Sequence, residues 1–165
     1  MSGGRILVAG IGNVFFGDDG VGVEVARRLG ERPQPEGVQV VDFGIRGVDL
    51  LYALGDGYDA AILVDAVRRG GVPGTLYVLE PEVSAPPPGA LADMHGLDPA
   101  TVLSLLRTRG DGLPVLRIVG CEPTVVDDDE MLIGLSAPVA AAVDEAVALV
   151  EGLVAELRHE AVERA

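Results

Sequence analysis

Three short runs constrain the fold more than anything else in this 165-residue chain: residues 5–9, 38–43 and 60–64 are predominantly apolar, with Arg5, Gln39 and Asp42 the exceptions. A strand with one face in water alternates apolar and polar residues, whereas a strand covered on both faces does not. These runs are rich in β-branched residues and read as buried strands of the parallel type. Two more, 75–79 and 115–120, follow later in the chain. Helical periodicity fills the intervals. Val21, Val25 and Leu29 recur every four residues with Ala26 beside them, which predicts a helix over about 20–31. Val48, Leu51 and Leu54 predict a short helix after the second strand. Asp98-Pro99 starts another, with Asp98 as cap and Pro99 in the first turn. Val139, Val143, Val147, Val150, Val154 and Leu157 form one long stripe behind Ser136, its expected cap. Residues after Arg158 are expected to fray.

Strands alternating with helices give a sheet covered on both faces. The link 66–74 breaks the pattern, because Gly70, Gly71, Pro73 and Gly74 leave no room for a crossover helix. The fourth strand is therefore expected to be antiparallel and at an edge. The expected fold class is α/β: three layers, α/β/α, around a twisted, mostly parallel five-stranded sheet with one antiparallel edge strand. A single domain over residues 1–165 suits the length. The Pro-rich stretch 81–89 is expected to be a loop inside that domain.

Charge and composition exclude several function classes. A net charge of −14 opposes a phosphate-tracking or anionic-membrane surface, and 4% aromatic residues leave little to stack on bases. Cys121 is the only cysteine, so neither an internal disulfide nor a multi-cysteine metal cage is available. No secretory signal is expected, since the opening residues run straight into a strand, and the apolar segment 137–157 is interrupted by Asp144, Glu145, Glu151 and Glu156. A cytoplasmic protein is the expectation.

Carboxylates stand at or just beyond the ends of all three early strands: Asp18 and Asp19, then Asp42, then Asp65. In a parallel sheet these ends converge on the edge where α/β proteins bind ligands. Gathering acids there costs repulsion unless a cation or a proton offsets it. Gly10-Ile11-Gly12-Asn13 suggests a nucleotide loop, but Phe15 occupies the place of the third glycine and two acids open the helix. Asp18 reads as the helix cap; Asp19 reads equally as cap or ligand. Asp65 interrupts an apolar run and reads as a turn cap or as a partner of Asp19. Of the two histidines, His159 lies in the charged tail, and His95 alone offers an imidazole to the acidic edge. Asp19, Asp65 and His95 would make an open oxygen–nitrogen set suited to a borderline divalent metal. Cys121 reads as a small core residue.

Taken in order, these blocks resemble the maturation endopeptidases of nickel–iron hydrogenases. The first is Gly10-Ile11-Gly12-Asn13 followed by Asp18-Asp19; the second is Asp42-Phe43-Gly44-Ile45-Arg46-Gly47. The third is Ile62-Leu63-Val64-Asp65-Ala66, and the fourth is His95-Gly96-Leu97 ahead of Val102-Leu103. The resemblance implies an enzyme that removes a C-terminal extension from a hydrogenase large-subunit precursor after nickel insertion. It implies Asp19, Asp65 and His95 as catalytic and metal-contacting residues, the nickel being supplied by the precursor, although another divalent metal would fit. It further implies substrate recognition by Asn13, Asp42, Gly44 and Gly47, and a monomer whose partner is the precursor. Two departures stand out. The acidic pair is often Asp-Glu in the family, so Asp19 has one methylene less, about 1–1.5 Å of reach. Ile45 stands where many relatives carry Thr. Three other readings fit the same residues: a hydrolase of this fold holding its own metal, a non-catalytic nickel-sensing assembly module, and a nucleotide-binding protein.

Overall fold

The computed structural model describes residues 4–86, 88–89, 98–108, 112–124 and 131–164. Its elements alternate as the pattern predicts: β1 (Ile6–Ile11), α1 (Val21–Gly30), β2 (Val38–Gly44), α2 (Gly47–Leu54), β3 (Ala60–Ala66), β4 (Leu76–Leu79), α3 (Pro99–Thr108), β5 (Val115–Cys121) and α4 (Ala137–Arg164). The strands form one sheet in the order β2-β1-β3-β5-β4. All pairs are parallel except β4 with β5, so the strand after the glycine-rich link is indeed antiparallel and at an edge.

Successive residues of β1 point to opposite faces, and each face has its own core. Ile6 and Val8 join Ile62, Val64 and Val119 beneath α1 and α4. Leu7 and Ala9 join Ala61, Leu63 and Leu116 beneath α2 and α3. This explains why β1 and β3 carry no polar residue until their ends. Asp98 caps α3 as expected, accepting a hydrogen bond from the Thr101 N–H at 2.7 Å. Cys121 is a core residue, and burial, then the nearby Asp18 and Glu122 charges, push its thiol up to about 11. No described helix is long and apolar enough to cross a membrane.

Three local expectations differ from the structure. The last helix does not end near Arg158 but continues to Arg164, where Glu160–Arg164 and His159–Glu163 pairs at helical spacing favour continuation. The Ser136 hydroxyl turns to Asp18 and Thr124. Asp18, read as the cap of α1, makes no capping bond to it; a 3-10 turn, Gly17–Gly20, leads into the helix instead.

Candidate active site

The order β2-β1-β3 means that the chain leaves β1 toward one side and later returns on the other. This switch in direction opens a crevice between the carboxyl ends of β1 and β3, the usual ligand position in such sheets. Asp19 reaches it from the turn after β1, and Asp65 from the last residues of β3. Both line one cleft of about 300 Å³, together with Gly12, Gly44, Gly47 and Asp98.

Close packing explains the glycines of the first block and of the helix turn that follows it. A Cβ on Gly22 would come within 2.0 Å of the Val64 carbonyl oxygen, and one on Gly10 within 2.5 Å of the Ala26 Cβ. The first turn of α1 thus rests directly on the ends of β1 and β3. Gly12 has φ +136°, and a Cβ there would meet the Asp19 carbonyl at 1.8 Å. A glycine loop that looked like a damaged phosphate cradle is a spacer that lets Asp19 approach the sheet.

Asp18 anchors this turn from below. It is buried, and its carboxylate accepts from the Thr124 N–H at 2.9 Å, the Ser136 N–H at 2.8 Å and the Ser136 hydroxyl at 2.8 Å. Burial alone would raise its pKa, but these donors together hold it below the usual carboxylate value. The acidic pair therefore divides its work: Asp18 faces inward and ties three segments together, while Asp19 faces the cleft.

Asp19 is held in turn by the Asn13 N–H, which donates to its Oδ2 at 2.8 Å, and Asp65 Oδ1 accepts from the Ala66 N–H at 2.8 Å. No described residue donates to the remaining oxygen of either. Burial, then the Asp19 charge, pushes the Asp65 carboxyl up to about 7. The guanidinium of Arg46 also borders the cleft, but it donates to the carbonyls of Asp42 and Phe43 and pairs with Asp49 at 3.2 Å. Two carboxylates thus converge with neither engaged by that cation. Such a donor set suits a divalent metal, whose charge would relieve the repulsion. Among the described residues no group of three His, Cys, Asp or Glu side chains is placed to hold an ion. His95, the expected nitrogen ligand, lies outside the described residues.

The other sequence-based candidates divide between two depressions. Gly44 and Gly47 line the cleft; Asn13 and Asp42 line an adjoining groove of about 160 Å³, which shares Gly12, Gly44 and Ile45 with it. A bulge causes the split. Gly10 pairs with Asp42 but Ile11 with Gly44, so Phe43 is the extra residue and turns into the core while Asp42 stays exposed. Asp98 of the cleft wall was legible only as a helix cap. Buried Glu122 was not legible at all: the Arg69 N–H donates to it at 3.0 Å and the Tyr77 hydroxyl at 3.2 Å, closing the link between β3 and β4.

Comparison with known proteins agrees with this architecture. The family described as hydrogenase maturation protease matches residues 23–153, a span that begins just after Asp19 and takes in Asp42, Asp65 and His95. The hydrogenase 2 maturation protease of Escherichia coli K12 is 35% identical over 162 residues, covering 96% of this chain and 94% of its own. A solved structure of the hydrogenase-maturating endopeptidase HybD from E. coli superposes with a TM-score of 0.74 at 31% identity, covering 92% of this chain and 93% of that one. A hydrogenase 2 maturation peptidase from a Thaumarchaeota archaeon superposes at 0.68, again with 31% identity, over 92% and 98% of the two chains. This chain belongs to the hydrogenase maturation protease family, and it is a peptidase.

Proposed function

We propose that this peptidase removes the C-terminal extension of a nickel–iron hydrogenase large-subunit precursor and uses the precursor's own nickel as its recognition element. The observation that carries the reading is the pairing of Asp19 and Asp65 in one cleft, with the Asp65 carboxyl pushed up to about 7. Carboxylates that resist being charged together gain most when a cation replaces the proton between them. On this reading Asp19 and Asp65 give one oxygen each to the nickel and His95 gives a nitrogen. The ion docks the precursor so that its scissile bond lies in the cleft, and a precursor lacking nickel is held without that alignment. Gly44 and Gly47 let the peptide backbone lie against the cleft wall, and Asn13 holds Asp19 in place.

The name of the E. coli relative, a hydrogenase 2 maturation protease, supports a hydrogenase precursor as substrate. The test is to incubate the purified protein with nickel-loaded and nickel-free precursor and to weigh the products by mass spectrometry. Trimming of the loaded form alone is expected. Equal trimming of both would rule out nickel as the recognition element, and trimming of neither would rule out the precursor as substrate.

A further inference from the structure

Apolar residues are unusually exposed beside the cleft. The chain has three phenylalanines, and two of them, Phe15 and Phe16, are 51% and 41% exposed on the loop between β1 and Asp19. Val14 precedes them on the surface, and Met131, Leu132 and Ile133 lie alongside, Ile133 being 83% exposed. These are not two loose loops. The Leu132 N–H donates to the Phe15 carbonyl at 2.9 Å, the Gly17 N–H donates to the Leu132 carbonyl at 2.6 Å, and Phe16 and Leu132 form a parallel bridge. Asp18 fixes both from beneath, through Ser136 on the second segment. The result is a firm apolar ridge on a highly charged protein, where a patch of this kind marks a contact surface.

The ridge runs into the groove that adjoins the cleft. Val14, Phe15, Val23 and Ile45 supply the apolar walls of the groove, and Gly12, Gly44 and Ile45 form the boundary it shares with the cleft. An extended peptide advances about 3.3 Å per residue. A chain whose scissile bond lies between Asp19 and Asp65, and which leaves over that shared boundary, therefore reaches Phe15 within a few residues. The alternative occupant, a second copy of this chain, would bring two bodies of charge −14 each against one another.

We propose that the ridge of Val14, Phe15, Phe16, Leu132 and Ile133, with the groove at Ile45, is the docking surface for an apolar segment of the hydrogenase precursor next to its cleavage site. This rests on the assignment of the Asp19–Asp65 cleft as the place of cleavage. The ridge supplies affinity and the acidic cleft supplies alignment, so the two contribute separably to turnover.

The test is steady-state cleavage of nickel-loaded precursor by Phe15→Ser, Phe16→Ser and Ile133→Ser, with Val162→Ser on the distant end of α4 as control. The bonds joining the two segments are made by main-chain atoms, so circular dichroism and melting are expected to match the parent protein. The ridge variants are expected to raise KM about tenfold to thirtyfold and to leave kcat within about twofold, as for loss of uniform binding at a contact surface. The control is expected to change neither. Unchanged KM in the ridge variants, or a fall in kcat alone, would overturn the proposal. A parent protein that sediments as a dimer and becomes monomeric in the ridge variants would overturn it in favour of a second copy. Failure of the parent protein to cleave any precursor would count against the functional reading, and calorimetric binding of the precursor would then decide the ridge: equal affinity for parent and variants would overturn it.

Discussion

Asp65 at the end of β3 shares one cleft with Asp19 from the turn after β1, and burial together with the Asp19 charge pushes the Asp65 carboxyl up to about 7. The folded protein therefore keeps the Asp65 proton up to about pH 7, whereas the unfolded chain releases it near the ordinary carboxylate value of 3.8. Between these values the folded state binds more protons, so this group's contribution to stability is full below pH 3.8 and falls as pH rises through 7. A shift of this size corresponds to at most about 4 kcal/mol. Melting of metal-free protein as a function of pH is expected to show this loss, and Asp65→Asn is expected to flatten it.

The same substitution separates stability from activity. Asp65→Asn removes the cost of burying a charge, and with it the repulsion from Asp19, while keeping the side-chain shape, so melting above pH 7 is expected to rise relative to the parent protein. Cleavage of the precursor is expected to fall by about a hundredfold or more, the scale on which loss of one charge-stabilising group acts. Asp19→Asn is expected to lose activity similarly and also to relieve Asp65, lowering the pH at which Asp65 titrates. Carboxyl chemical shifts followed by nuclear magnetic resonance would check the direction.

Asp18 gives the opposite pattern. Its carboxylate is buried among donors from Thr124 and Ser136, and its pKa is lowered, so its contribution is present above the ordinary carboxylate value and lost as pH falls below it. An amide at this position would point its NH2 at a donor. Asp18→Asn is expected to cost about 3 kcal/mol in denaturant unfolding near neutral pH, with loss of activity following from loss of fold.

Two glycine substitutions test the packing of α1 against the sheet. A Cβ at Gly22 would press into the Val64 and Ile11 carbonyl oxygens at 2.0 and 2.5 Å, so Gly22→Ala is expected to destabilise by about 3 kcal/mol or more. Gly152 lies inside α4 with nothing within 4 Å of its added Cβ, so Gly152→Ala is expected to stabilise by about 0.5–1 kcal/mol. Chemical denaturation of the two variants gives both values.

Much of this was legible in the sequence because burial on both faces leaves a plain signature. The uninterrupted apolar runs of β1 and β3 and the broken link before β4 fixed the sheet type and its antiparallel edge. Asp65 was legible because it interrupts such a run, and Asp19 because it follows one. What was hidden depends on contacts between distant segments. Asp18 and Asp19 are adjacent and chemically identical, and only the approach of Thr124 and Ser136 sends one inward. The bulge that buries Phe43 and exposes Asp42 depends on register with β1, which no local pattern records. The exposure of Phe15 and Phe16 likewise follows from their bridge to Leu132, since phenylalanine by itself reads as core.

Recognition of the precursor's nickel by Asp19 and Asp65 underlies the proposed function. Its most direct test is the affinity of nickel-loaded and nickel-free precursor for the parent protein, Asp19→Asn and Asp65→Asn, measured by calorimetry under conditions where cleavage is blocked. The parent protein is expected to prefer the loaded form by about tenfold or more, a difference of about 1.4 kcal/mol, and each variant to lose that preference while still binding the nickel-free form. A preference that survives in both variants would contradict it.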